Sequence, residues 1–169
     1  MVDDFHQLRP SPLGGTFPRD RGPSEVSARR ALARCRVMMA PATTAAIAAN
    51  ATAKGDVLAT ARVAGIQAAK AAATLLPMAH QVLVGNVYVN FTIGDVYIEV
   101  EAGVDTVDRT GVEMEALVSV TMAALTIYDM CKSIDRTMTV EQVALWEKSG
   151  GRSGAWRRTL DGDGVTDSR

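Results

Sequence analysis

Between Asn86 and Ala102 the chain alternates apolar and polar residues twice, on either side of Gly94-Asp95. Val87, Val89, Phe91 and Ile93 make the first apolar set, and Val96, Ile98, Val100 and Ala102 the second. A period of two places each set on one face of a strand. Gly-Asp suits a two-residue hairpin turn, which pairs Ile93 with Val96, Phe91 with Ile98 and Val89 with Val100. One face of this hairpin must be covered, and the rest of the chain has to supply the cover.

The obvious cover is the stretch from Arg109 to Lys132, RTGVEMEALVSVTMAALTIYDMCK. Thr110-x-x-Glu113 has the form of a capping box, so the sequence predicts a helix starting there and running to about Ile134. Its apolar residues go nearly all the way round, which implies cover on more than one side and points to a second subunit. Yet the helix keeps Glu113, Glu115, Asp129 and Lys132, and unpaired charge is costly to bury. Glu115 and Asp129 lie about 21 Å apart at ~1.5 Å per helical residue. One small substrate cannot touch both in a single chain, so a shared activity requires sites built between subunits.

The remaining elements fit around these two. Residues 33–39 read as a strand, and Pro41 suits the first turn of a short helix reaching about Asn50. Asp56 is a good N-terminal residue for a second, alanine-rich helix that ends before Pro77, and Gly65 within it allows close packing. Val140–Glu147 form a last strand, followed by a glycine-rich loop from Lys148 to Gly154. With the short helix as an insertion, the order is the split β-α-β-β-α-β of an α+β, ferredoxin-like fold: an antiparallel sheet with helices on one face. Residues 1–26, broken by prolines and glycines, read as a flexible arm or as an atypical one that docks on a neighbouring subunit; 27–156 form the domain; 157–169 are a polar tail.

A chain of 169 residues, 47% of them apolar, can bury one real core, and its formal charge of −1 argues against nucleic-acid and membrane-surface binding. Cys35 and Cys131 have no metal-ligand spacing and suggest a reducing cytoplasm. Asp3 and Asp4 occupy the place of a basic leader segment, so no secretory signal is expected. No apolar run is read as reaching the roughly 20 residues that span a bilayer. Lysine is scarce, 4 against 14 arginines, which draws notice to Lys54, Lys70, Lys132 and Lys148.

No Walker A loop, dinucleotide fingerprint, Ser-His-Asp arrangement or zinc motif is legible. Lys54 precedes a helix N-terminus, where an anion such as phosphate is favoured, or is simply a solvated lysine. His80 sits between helix and strand, an inert loop histidine or a catalytic one. Asp129 and Lys132 share a helix face and can pair, either as a helix-end salt bridge or as part of a site.

The segments KGDVLATARVAGIQAAK, DRTGVEMEAL, AALTIYDMCK and EKSGGRSG together resemble the molybdenum cofactor biosynthesis protein C family, the cyclic pyranopterin monophosphate synthases, over residues 27–156. The resemblance implies a lyase that converts 3′,8-cyclo-7,8-dihydroguanosine triphosphate to cyclic pyranopterin monophosphate with loss of pyrophosphate. It also implies a homohexamer, a trimer of dimers with sites between subunits, and neither cofactor nor metal. By motif, Asp129 takes acid/base work, Lys132 is essential, and Lys54 and Lys148 serve the triphosphate or act as acids. Arg29 matches an arginine that holds phosphate oxygens, as its bidentate fork suits. Glu113, Met114 and Glu115 of GVEMEA line the substrate site, with Arg109 standing where many members have lysine. His80 matches the family's histidine, but Met78-Ala79-His80-Gln81-Val82 lacks the neighbouring cysteine and proline. Two further readings follow: a relative that binds nucleotide or pterin without turnover, or assembles with a partner synthase, and a purely structural oligomer.

Overall fold

A computed structural model of the protein describes residues 25–159 and 165–167; most of the N-terminal arm therefore lies outside the described residues. Strand β1 (Ser27–Met38) is followed by helices α1 (Pro41–Ala48), α2 (Val57–Lys70) and α3 (Ala72–Leu75). Strands β2 (Asn86–Ile93) and β3 (Tyr97–Asp108), helix α4 (Glu113–Cys131) and strand β4 (Thr139–Ser149) complete the main pattern. Two short strands, β5 (Ala155–Arg157) and β6 (Val165–Asp167), follow. The sheet order is β2-β3-β1-β4-β5-β6, with every pairing antiparallel. Its first four strands have ferredoxin-like topology, as the sequence predicts.

β1 lies at the centre, pairing with β3 along its whole length from Ser27↔Asp108 to Met38↔Tyr97, and with β4 on its other side. It begins at Ser27 rather than near residue 33, because β3 extends far enough to pair from Ser27 onward and β4 far enough to reach Arg30. Alternation then divides the strand. Ala31, Ala33, Cys35 and Val37 are buried with Ala116, Val120, Ala123, Ala124 and Ile127 of α4 in one apolar core. On the opposite face Arg34 pairs with Glu101 at 2.6 Å and Arg36 with Glu99 at 3.1 Å, their guanidinium groups stacked over Trp146 and Tyr97.

The hairpin exists, but in another register. Ile93 pairs with Ile98, Phe91 with Val100 and Val89 with Ala102, two residues on from the pairing expected. A shift of two keeps every side chain on its face, so the apolar set survives. The turn widens because it is tied elsewhere: Val96 O accepts from Met39 N at 2.9 Å, and Asp95 O from Thr44 Oγ1 at 2.9 Å. Gly94 lies against the Tyr97 ring, leaving no room there for a Cβ.

The capping box is not formed either. α4 starts at Glu113 behind Val112, with no side-chain cap, and the Glu113 carboxylate folds back over Gly111. The alanine-rich helix breaks at Ala71 into α2 and α3, while Asp56 caps it as expected, accepting from Ala59 N at 2.9 Å. The sequence expects a polar tail from 157, of which 160–164 and 168–169 lie outside the described residues; β5 and β6 add two short strands to the sheet edge.

α4 is 19 residues long and apolar enough to cross a membrane by length and composition, contrary to the sequence expectation, but half of that stretch is buried within this fold. It packs on β1, β3, β4 and α2. The outer stripe, including Met114 at 42% exposure and Leu125 at 48%, has no cover in the single chain. α2 and α4 run antiparallel: the residues before α2 meet the end of α4, and Gly65 meets Ser119 midway.

Candidate active site

The antiparallel pairing brings together residues far apart in sequence. The turn Thr52–Gly55, closed by Gly55 N donating to Thr52 O, presents Lys54 at the start of α2. Lys54 Nζ lies 2.9 Å from Asp129 Oδ2 and 3.0 Å from the Asp129 carbonyl. Lys132 Nζ, one turn further along α4, lies 2.7 Å from Asp129 Oδ1. One carboxylate thus holds two ammonium groups, one on each oxygen. Hydrogen bonds from Lys132 and then Lys54 hold the Asp129 carboxyl down to about 2, while Asp129 raises the pKa of Lys132. At neutral pH Asp129 is a carboxylate and Lys132 carries the proton. All three groups stay open to solvent.

The other sequence candidates gather at the opposite end of α4. The segment carrying His80 is tied to the end of β3: Leu83 N donates to Asp108 Oδ2 at 3.2 Å, Thr106 Oγ1 to Leu83 O at 2.5 Å, and Gly85 N to Asp105 O at 3.0 Å. His80 itself is exposed. Arg29 Nε donates to Asp108 O at 2.9 Å, and its guanidinium lies against Gly151, whose φ of +73° suits glycine. Lys148, opposite Ala31 in the sheet, donates to Ser153 Oγ across the glycine-rich loop. Arg109 N donates to Asp108 Oδ1 at 2.6 Å and leads into Glu113 and the half-exposed Met114. Glu115 is only 3% exposed, and burial pushes its pKa up. Among the described residues, no group of three or more His, Cys, Asp or Glu side chains could hold a metal ion.

Sequence reasoning missed Asp135. It is 7% exposed and accepts from Ala40 N at 2.8 Å, Thr43 Oγ1 at 3.1 Å, Thr137 N at 2.9 Å and Thr137 Oγ1 at 2.7 Å. These bonds, led by that from Ala40, hold its carboxyl down to about 2. A signal was present: α1 opens on Ala40-Pro41, with no side chain able to cap it, so an acceptor had to come from elsewhere.

The molecule is thus an α+β, ferredoxin-like subunit whose long helix is flanked by cationic groups at both ends, one set locked on a carboxylate. The chain belongs to the MoaC family, whose model matches residues 20–151. It is 52% identical to the cyclic pyranopterin monophosphate synthase of Chloroflexus aggregans over 142 residues, 82% of this chain and 86% of that one. The synthase of Thermomicrobium roseum is 53% identical over 135 residues, 79% of this chain and 81% of the relative. Cyclic pyranopterin monophosphate synthase 3 of Mycobacterium bovis is 52% identical over 134 residues, 79% and 76% of the two chains.

Proposed function

We propose that this chain is a cyclic pyranopterin monophosphate synthase, a lyase acting on 3′,8-cyclo-7,8-dihydroguanosine triphosphate in molybdenum cofactor biosynthesis. The observation that carries the reading is the Lys54–Asp129–Lys132 cluster, made by motifs that the family resemblance singles out. A carboxylate held near pKa 2 is a poor proton donor, whereas the Lys132 ammonium beside it is charged and solvent-open. Lys132 is therefore the member of the pair that holds a proton at neutral pH, and Asp129 its orienting partner; Lys54 supplies a second cation for the developing anionic oxygens. Arg29 and Lys148 hold triphosphate oxygens, while His80, Arg109, Glu113, Met114 and Glu115 form the substrate wall. The two sets stand at opposite ends of α4, so one complete site takes one end from each of two subunits. The uncovered outer stripe of α4 supports that arrangement, a hexamer in the family pattern; the reading places it in the cytoplasm.

Purified protein incubated with the cyclic nucleotide precursor should release pyrophosphate and the pyranopterin product. No product, beside an active relative in the same assay, would overturn the reading. Tight precursor binding without turnover would favour the non-catalytic alternative, which the exposed His80 in its altered Met78–Val82 segment motivates.

A further inference from the structure

Asp135 stands three residues after Lys132, in a turn that continues α4: Ile134 N and Asp135 N both donate to Cys131 O, at 2.9 and 3.0 Å. Its Oδ1 closes that turn by accepting both Thr137 donors. Its Oδ2 reaches across to α1, accepting from Ala40 N and Thr43 Oγ1. α1 in turn leads into the turn bearing Lys54, through Ala51 N donating to Ala46 O at 2.9 Å and Thr52 Oγ1 donating to Gly55 O at 2.6 Å. One nearly buried carboxylate therefore fastens the end of the helix that carries Asp129 and Lys132 to the segment that delivers Lys54.

We infer that Asp135 is a positioning residue for the Lys54–Asp129–Lys132 cluster, setting the two segments in register so that both lysines meet on one carboxylate. A side chain fixed by four donors has little freedom to relax, and small displacements of reacting groups are amplified in rate. The Asp135 carboxylate bonds to Ala40, Thr43 and Thr137 rather than to any of the three, and acts through the backbone it holds. The kinetic part of the inference rests on the proposed synthase activity; the geometric part does not.

The test uses the full chain with Asp135→Asn, which keeps the shape but turns one acceptor into a donor facing donors, and Thr43→Val, which removes a single bond from a buried site. A carbon-detected NMR titration follows the Asp129 carboxyl, and turnover is measured in parallel. Asp135→Asn should move the Asp129 titration up from about 2 toward the ordinary 3.8. It should also lower kcat by about 10²-fold, leaving KM nearly unchanged. Thr43→Val should shift both in the same direction by less. Folded variants with a wild-type Asp129 titration and wild-type kcat would overturn the inference, even if their melting temperatures fell. If Asp135→Asn does not fold, Thr43→Val combined with Thr137→Val decides by the same readouts. If the wild type makes no product, the synthase reading fails, and the titration alone still decides the role of Asp135.

Discussion

At the C-terminal end of α4, Lys54 and Lys132 are both held by a carboxylate, whereas at the N-terminal end Arg29 and Lys148 donate to a backbone carbonyl and a serine hydroxyl. The first set keeps a net charge of +1, two ammonium groups sharing one carboxylate. The second keeps its cations in hydrogen bonds to uncharged acceptors, with the Asp108 carboxylate near enough to Arg29 to be lowered by it. The division suits two tasks: handling a proton needs a defined protonation state, and gripping phosphate needs cations with their charge still to give.

Removing a cation from each end should break the two tasks differently. Lys132→Ala should cost about 10²–10⁴-fold in kcat, the range for a lost general acid, with assembly size unchanged by light scattering. A variant turning over near the wild-type rate would collapse the distinction. Lys148→Ala should act mainly on KM for the precursor, raising it about tenfold to a hundredfold, as expected for ~1.5–3 kcal/mol of charge-assisted hydrogen bonding. A kcat loss as large as that of Lys132→Ala would merge the two ends into one function.

The ends also depend on the rod between them. A Cβ added at Gly65 would stand 3.0 Å from both Ser119 O and Val89 Cγ2, so Gly65→Ala must force α2 away from α4. Such overpacking should destabilise by about 1–3 kcal/mol, read from denaturant midpoints. Because Lys54 precedes α2, the C-terminal cluster should loosen first, with the Asp129 titration rising while phosphate binding at the other end holds.

The smallest effect is on acid stability. The folded-state pKa of Asp129 is lowered, so its contribution is present above its unfolded value of 3.8 and is lost as pH falls through about 2. Denaturant unfolding of wild type and Asp129→Asn should differ at neutral pH and converge in that window. A difference that persists below pH 2 would mean that the cluster is held by packing rather than by charge.

Local pattern carried the sequence reading where one face of an element was buried: the hairpin faces, the Asp56 cap and the Pro41 start follow from it directly. Register did not, because the turn at Gly94 is set by bonds from Met39 and Thr44, more than 50 residues upstream. Thr110 looked like a cap by spacing alone, but the Glu113 side chain lies over Gly111 and the helix begins after it. The pairing of Asp129 with Lys132 was legible from helix periodicity, while the arrival of Lys54 was not, since only the antiparallel packing of α2 on α4 brings it there. Asp135 was hidden for the same reason, its partners in α1 lying 92 and 95 residues away.

The bond between Lys54 and Asp129 joins residues 75 positions apart. Closing so long a loop carries an entropic penalty that only the packed core offsets, and such distant contacts belong late in folding. A nascent chain released before α4 emerges would hold Arg29 and Lys54 but not the carboxylate that fixes the lysine. Partly made subunits thus lack the carboxylate on which the two ammonium groups meet.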